Sequence, residues 1–509
     1  MQVKFTLLFI FNFLLVLAQD CPPPGDLTFQ SQSELNNFIA QYPNCQVING
    51  NMRVTRTGFD GYSDINNLSP LSNITTVNGS LTLEFLGNIT SLVALSNLQT
   101  INGNLNLYRN ANYFVNYNNS NYVQGLTSLT TITGKLTVAD VLTNFSGLSN
   151  LTQLGGIDVI YSNIDSFQGL ENITSMNSFW VGANAILSFN GLQNLTNITG
   201  DFELSISSLT GEIPPAVLLN NLSNITTVGG NFTAFGSYEQ TANNIPQTKL
   251  DFLSNLTTVG QNFTLWVFNA EDFNDLSNLQ SVGGDTTLSV YATSLEGLSN
   301  QAISNKLFLS ASNITDLSGL DDFTNLKGLS ISGCANLTSL NGLQALTMVD
   351  GPIIITDNAV LNNITALSNV NPNFVLGSNN LDLEISNNPN LALCSNDLVC
   401  GMLNLPFREI VISNNAIGCH NKPTAFNNCV TFLSNEAFEQ AIDYAFVNNI
   451  LTVNNKDVLS MTCLNMMGQN VLGNSKQNVI DLNQVETGLY FVVVEDSNNQ
   501  TYKMKVVKK

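Results

Sequence analysis

Histidine is almost missing from this sequence: His420 is the only one in 509 residues. Chemistry that needs two imidazoles, or one in the middle of the chain, is excluded. A Ser-His-Asp relay would have to use His420, which sits beside Cys419 in a cysteine-rich stretch and reads as structural. Charge is also scarce, at 10% of residues against about 25% in an average soluble domain. Lys and Arg number 16 against 37 Asp and Glu, a formal net charge of −21. That excludes a basic nucleic-acid footprint and argues against charge-driven binding to an anionic membrane. Phosphate loops, dinucleotide fingerprints, His-Glu-x-x-His and kinase motifs are all missing, so no cofactor or metal is expected. No segment beyond the N-terminus reaches 18 consecutive apolar residues, so no transmembrane span is expected in the mature chain.

The N-terminus reads as an export signal. Lys4 supplies the positive start, Phe5–Leu17 the apolar core, and Val16 and Ala18 the small-residue cleavage pattern. Residues 1–18 are therefore expected to be removed. Export permits disulfides. The eight cysteines are uneven, with 288 cysteine-free residues between Cys45 and Cys334. Cys21 and Cys45 form a natural pair. Cys394, Cys400, Cys419 and Cys429 allow three connectivities, and their spacings fit zinc poorly. Cys334 and Cys463 look unpaired.

Between the cysteine groups one phrase recurs: aliphatic-x-Gly-(Asn/Asp)-aliphatic-x-aliphatic, preceded by Leu-(Ser/Thr)-Asn-Leu-Thr. It reads Leu71-Ser-Asn-Ile-Thr-Thr-Val77-Asn-Gly79-Ser-Leu81-Thr-Leu83, and returns at Leu95–Leu107, Ile198–Leu204 and Val259–Leu265. Its anchors fall at 48, 77, 101, 132, 154, 176, 198, 228, 259 and 282. A basic step of 22, with insertions of up to nine residues, predicts a solenoid of about fifteen coils. Each coil should contribute a short Leu-x-Leu strand, with inward residues stacking on the coils before and after. Glycine at the aliphatic-x-Gly corner allows φ > 0 at a tight bend. Stacked Asn side chains are expected to form hydrogen-bonded ladders. Sequons such as Asn73, Asn88, Asn150, Asn172, Asn194, Asn255 and Asn313 follow from the repeat phrase.

The opening Cys21-Pro-Pro-Pro-Gly-Asp-Leu-Thr-Phe29 with Phe38–Cys45 and Ile48-Asn-Gly50, the repeats, and the closing Leu391–Cys429 run resemble exported receptor-L-domain or leucine-rich-repeat-like proteins of Bacteroidetes-type bacteria. The resemblance covers roughly 20–430. It implies an all-β chain: a right-handed parallel β-solenoid with disulfide-tied caps. It carries over no ligand and no functional residues.

After Cys429 the phrase stops. Alternating segments such as Ile450–Val453, Val458–Met461, Gly488–Val494 and Tyr502–Val507 suggest a small β-sandwich. Residues 446–509 carry 6 basic and 5 acidic groups, net +1, whereas 19–445 carry 9 and 32, net −23. Leu464–Val471, Ile480-Asp-Leu482, Gly488-Leu-Tyr490-Phe-Val492 and Lys503–Lys509 resemble the type A C-terminal sorting domain of type IX secretion. That resemblance implies recognition by an outer-membrane translocon, with Gly488, Tyr490, Lys503, Lys505, Lys508 and Lys509 in the sorting signal, removal of the domain, and surface attachment or release, hence a secreted or bacterial cell-surface location. The expected organisation is signal peptide 1–18, N-terminal cap 19–47, solenoid 48–390, C-terminal cap 391–430, linker 431–446 and sorting domain 447–509.

Carboxylate pairs deserve weighing, because β-solenoids include polysaccharide lyases and hydrolases. Asp321-Asp322, Glu271-Asp272 and Asp382 with Glu384 are candidates, but they are scattered and read as turn caps. Tyr108, Tyr113, Phe114, Tyr117 and Tyr122 cluster in the 108–122 insertion and form a candidate ligand loop. Trp180 and Trp266 lie on or beside the strand phrase, in core or exposed positions. The expected function is non-enzymatic adhesion or recognition of a surface glycan or protein; a β-solenoid carbohydrate-active enzyme is the alternative.

Overall fold

The structure, a computed structural model, describes residues 20–57, 63–108, 122–139, 142, 144–160, 162, 164–182, 186, 188–205, 219–236, 250–298, 302–311, 313–377, 381–432, 443–454, 457–465, 469–475, 478–497 and 501–508. Its dominant feature is a 19-stranded parallel sheet. Sixteen principal strands run from Leu27–Phe29 to Ile410–Ser413, each paired in parallel with the next. The first lies in the expected N-terminal cap, one strand before the repeat phrase begins. The other three, Val47–Ile48, Thr76–Val77 and Thr100–Ile101, form a second column. It joins the first because Thr131–Ala139 bends through both. The second column continues as a five-stranded sheet from Ser175–Met176 to Ser281–Val282. Short 3-10 turns such as Ser69–Leu71 and Asn274–Leu276 lie between the end of a principal strand and the next short strand. The chain is thus a β-solenoid.

Register is what makes the coils stack. Leu81, Leu105, Leu136 and Ile157 are successive partners on the inward side, as are Phe179, Phe202, Phe232 and Phe263. The four phenylalanine rings stack at centroid distances of 4.8, 4.8 and 5.1 Å, close to the strand spacing that backbone hydrogen bonds impose. A second file, Phe145, Phe167 and Phe189, stacks at 5.6 and 5.2 Å. Each buried ring contributes about 1.5–3 kcal/mol from leaving water. Thr286 follows Phe263 in the first file. It is fully buried, and its hydroxyl has no partner among the described residues.

Asparagine forms the expected ladders in two settings. On the surface, Nδ2 of Asn78 donates to Oδ1 of Asn49, and Asn102 to Asn78. The sequon asparagines Asn150, Asn172, Asn194 and Asn255 each donate Nδ2 to a backbone carbonyl one coil back. In the interior, Asn358 donates to Asn388 and Asn388 to Asn415, all at 3.1 Å. Asn388 also donates to the carbonyls of Ile355 and Ser386. Cys334 heads this file: its N–H donates to Asn358 Oδ1, and Ala311 N–H donates to its sulfur at 3.3 Å.

The corner glycines correct the sequence reading. Gly79 and Gly103 do not adopt positive φ; a Cβ there would lie 2.5–2.7 Å from Asn51 and the Gly50 and Gly79 backbones of the coil before. Close approach, not chain reversal, selects them. Positive φ belongs to the Phe-x-Gly-Leu corner: Gly169 and Gly191 have φ of +106° and +108°, with a hypothetical Cβ at 1.9 and 2.0 Å from the preceding coil's carbonyl oxygen.

The caps contain α-helices, which the all-β expectation did not include. Gln32–Gln41 starts at Ser31, whose side chain accepts from Glu34 N–H. Asp397–Asn404 is capped by Asn396, and Lys422–Phe432 covers the last principal strand. Helices suit this place because an end coil must screen its core without offering another pairing edge. Disulfides tie the caps: Cys21–Cys45, Cys394–Cys419 and Cys400–Cys429. After the solenoid, a three-stranded and a four-stranded antiparallel sheet enclose a separate core of Leu451, Met461, Cys463, Val492, Val494 and Tyr502. This is the C-terminal sandwich. Cys334 and Cys463 are free and buried, and burial pushes both thiols up to about 11.

Two substitutions should move stability in opposite directions. Thr286→Val removes an unpaired buried hydroxyl and is expected to stabilise by about 1 kcal/mol. Asn388→Ala strands donors and acceptors in three coils and is expected to cost about 3 kcal/mol. Denaturant titration of each variant reads both; equal or same-sign effects would contradict the ladder account. The thiols give a second check. At pH 8 a group titrating near 11 is thiolate in roughly one molecule per thousand. Native protein should therefore leave both thiols unreacted with an aromatic disulfide reagent over minutes, while non-reducing denaturation releases two. A fast-reacting native thiol would contradict this burial.

Candidate recognition surface

Alternation along each principal strand sends every second side chain outward. Because the strands are in register, these residues form two straight columns across the sheet. The first runs Arg53, Thr82, Asn106, Thr137, Asp158, Trp180, Glu203, Thr233, Thr264, Thr287, Phe308, Ser330, Ile354, Glu384 and Val411. The second, two residues further on, includes Glu84, Tyr108, Phe235, Trp266, Ser289, Ser310, Ser332 and Thr356.

The columns divide by chemistry. The early coils carry ion pairs: Arg53 with Glu84, and Lys135 with Asp158 at 3.1 Å. The guanidinium of Arg56 lies 4.1 Å from the Phe85 ring centre. Over the six coils from Phe232–Phe235 to Ile353–Thr356, the twelve positions of the two columns hold no ionisable group. Eight are Ser or Thr and three are aromatic. Trp266 is 45% exposed, and its ring centre is 6.0 Å from that of Phe235. Trp180 lies over Gly182, where a Cβ would meet the indole at 3.2 Å.

The sequence left Trp180 and Trp266 undecided between core and surface, and the structure puts both on the outward columns. Phe235 and Phe308 were missed. Their signal was an aromatic in a slot that other coils give to Thr, Ser or Asn. Of the candidate ligand loop, Tyr113, Phe114 and Tyr117 lie outside the described residues. Tyr108 ends the strand Leu105–Tyr108, on the second column, and Tyr122 opens a 3-10 turn.

Four of the candidate carboxylates, Asp272, Asp321, Asp382 and Glu384, accept hydrogen bonds within the structure. Asp321 accepts from Gly319 N–H and Asp272 from Asn274 N–H. Asp382 accepts from Gly377 and Glu409 N–H and pairs with Arg408 at 3.8 Å. Glu384 accepts from the Ser386 hydroxyl. His420 lies exposed in the cap, 3.4 Å from the Thr424 hydroxyl. Among the described residues no three His, Cys, Asp or Glu side chains gather as a metal site, and no helix is long and apolar enough to cross a membrane.

In the C-terminal module, Gly488 opens the strand Gly488–Asp496. Tyr490 is buried, its hydroxyl donating to the Glu486 carbonyl at 2.7 Å. Lys508 Nζ donates to the Asn483 carbonyl, while Lys505 points to solvent. The side chains of Lys503 and Lys509 lie outside the described residues.

Comparison with known proteins gives three matched segments. Residues 44–121 match the receptor L domain family, 293–392 the LRR domain of endo-beta-N-acetylglucosaminidase EndoS, and 447–509 the secretion system C-terminal sorting domain. No curated protein matches the chain. Among solved structures, an internalin from Listeria monocytogenes is 20% identical, with a TM-score of 0.37 over 68% of this chain and 83% of that one. The leucine-rich-repeat match falls where the strand phrase gains an Asn or Cys three residues on, as in Ile331-x-x-Cys334, Ile355-x-x-Asn358 and Ile385-x-x-Asn388. The chain thus combines receptor-L and leucine-rich-repeat segments with a type IX sorting domain, and it is a secreted or cell-surface protein.

Proposed function

We propose that this is a non-enzymatic recognition protein that adheres through the outward face of its principal sheet after type IX export. The observation that carries the reading is the sixteen-strand in-register face, in which outward side chains form continuous columns. A repeated face of this kind presents one chemistry over many coils, which suits binding of an extended target. Engagement of Asp272 and Asp321 in turns, and of Asp382 with Arg408 and the Glu409 N–H, supports recognition over hydrolysis. The sorting module is proposed to engage the outer-membrane translocon through the start of the strand Gly488–Asp496 and the lysines 503, 505, 508 and 509.

A strain lacking the chain should attach less well to its growth surface, and the wild-type chain should restore attachment. A Thr264→Glu/Ser330→Glu double variant places charge on the outward face without touching the core, on strands three coils apart so that the two carboxylates are not register partners. It should reach the exterior at the normal level yet restore less than a fifth of the attachment. A chain without 447–509 should remain inside the cell. Full attachment with the double variant would refute recognition through this face.

A further inference from the structure

Resting on that recognition reading, we infer that the uncharged stretch between Thr233 and Thr356 is a platform for a neutral, extended polysaccharide lying along the solenoid axis. Charge is the first ground. The twelve outward positions of these six coils hold no ionised group, and Glu203 and Glu384 flank them in the same column. With −23 on residues 19–445, the face repels polyanions and offers no ion pair to a polycation across its centre. A neutral polyhydroxy chain complements it.

The second ground is the pairing of rings with hydroxyls. Trp266 and Phe235 adjoin one another, and Phe308 stands two coils beyond Trp266 on the other column. Pyranose rings present C–H faces that pack on aromatic π-surfaces, and their equatorial hydroxyls need partners. The hydroxyls of Thr233, Thr264, Thr287, Ser289 and Ser310 have no protein partner among the described residues and lie between the rings. Trp180, over Gly182, stands on the same column as Thr233, beyond Glu203.

Geometry is the third. Coils repeat at about 4.8 Å, close to the advance per sugar of an extended β-linked chain. One sugar can therefore sit over each coil and meet a hydroxyl at every step and a ring at three of the six. Six coils span roughly 24 Å between their outer strands, room for about five or six sugars. A protein ligand would also bury apolar rings, but it would bring charged side chains to two columns with none to answer them, the nearest being Lys306 and Asp285 at their edge.

The test is affinity electrophoresis of the full chain in gels containing xyloglucan, galactomannan or hydroxyethylcellulose, with alginate as the polyanion. Retardation by at least one neutral chain and none by alginate is expected. Trp266→Ala should weaken binding at least tenfold and Phe308→Ala several-fold. Trp266→Tyr, which keeps a stacking ring, should recover most of the affinity. Trp266 is 45% exposed, so thermal unfolding of Trp266→Ala should be nearly unchanged and separates lost binding from lost fold, while the half-buried Phe308 is read only beside its own unfolding curve. No retardation by any neutral chain, retardation by alginate alone, or neutral-chain binding indifferent to Trp266→Ala overturns the inference. If the charged double variant still abolishes attachment in that case, the recognition reading survives with a protein target; if attachment is also unaffected, both fall.

Discussion

Everything in this molecule depends on successive coils keeping the same register at the spacing of a β-ladder. Backbone hydrogen bonds between parallel strands hold that distance near 4.8 Å. At that separation a side chain meets its own equivalent one coil away, so a residue type that packs well against itself is rewarded repeatedly. Aromatic rings stack, as Phe179 through Phe263 do. Asparagine is self-complementary, because its amide both donates and accepts along one line. The same closeness excludes a Cβ at Gly79, Gly103, Gly169 and Gly191. Abundant Asn, Gly and Thr and scarce charge follow from this single constraint.

The constraint acts on the outside as well. Register turns outward side chains into straight columns, so the face is chemically graded along the axis. Ion pairs lie at one end, and rings with hydroxyls lie in the later coils. A like-charge column at this spacing would repel itself, so a solenoid face can be large only if it is mostly neutral or alternates in sign. Recognition and stability therefore demand the same composition. The caps answer the remaining hazard of an open sheet end, using helices and disulfides where a further strand would invite pairing with another chain.

The period of the repeat, the Leu-x-Leu strands, the Asn ladders and the free state of Cys334 and Cys463 were legible in the sequence, because each follows from a pattern that recurs. Features made by contact between distant coils were not. Gly79 reads as a turn residue on local grounds, and only the neighbouring coil reveals close approach. The pairing of Cys394 with Cys419 and Cys400 with Cys429 depends on the arrangement of two cap helices that no spacing encodes. The helix at Gln32–Gln41 was readable from Ser31 and Glu34 but was lost inside an all-β expectation. Trp266 resisted assignment because a single tryptophan fits either side of a strand; its partner Phe235 decides the matter only once register is known. The tail was the easiest part to read, since its charge and alternation change abruptly after Cys429.

The central proposal is that an in-register disulfide-capped solenoid is exported by a C-terminal sorting domain that is then removed, as its likeness to type IX sorting domains implies. Intact mass and terminal sequencing of the protein recovered from outside its native cells test it most directly. The account predicts a chain that begins near residue 19, ends close to 447, holds three disulfides and retains one free thiol, that of Cys334. A chain recovered outside the cell with its C-terminus intact at Lys509 would contradict it and make the C-terminal sandwich a working domain.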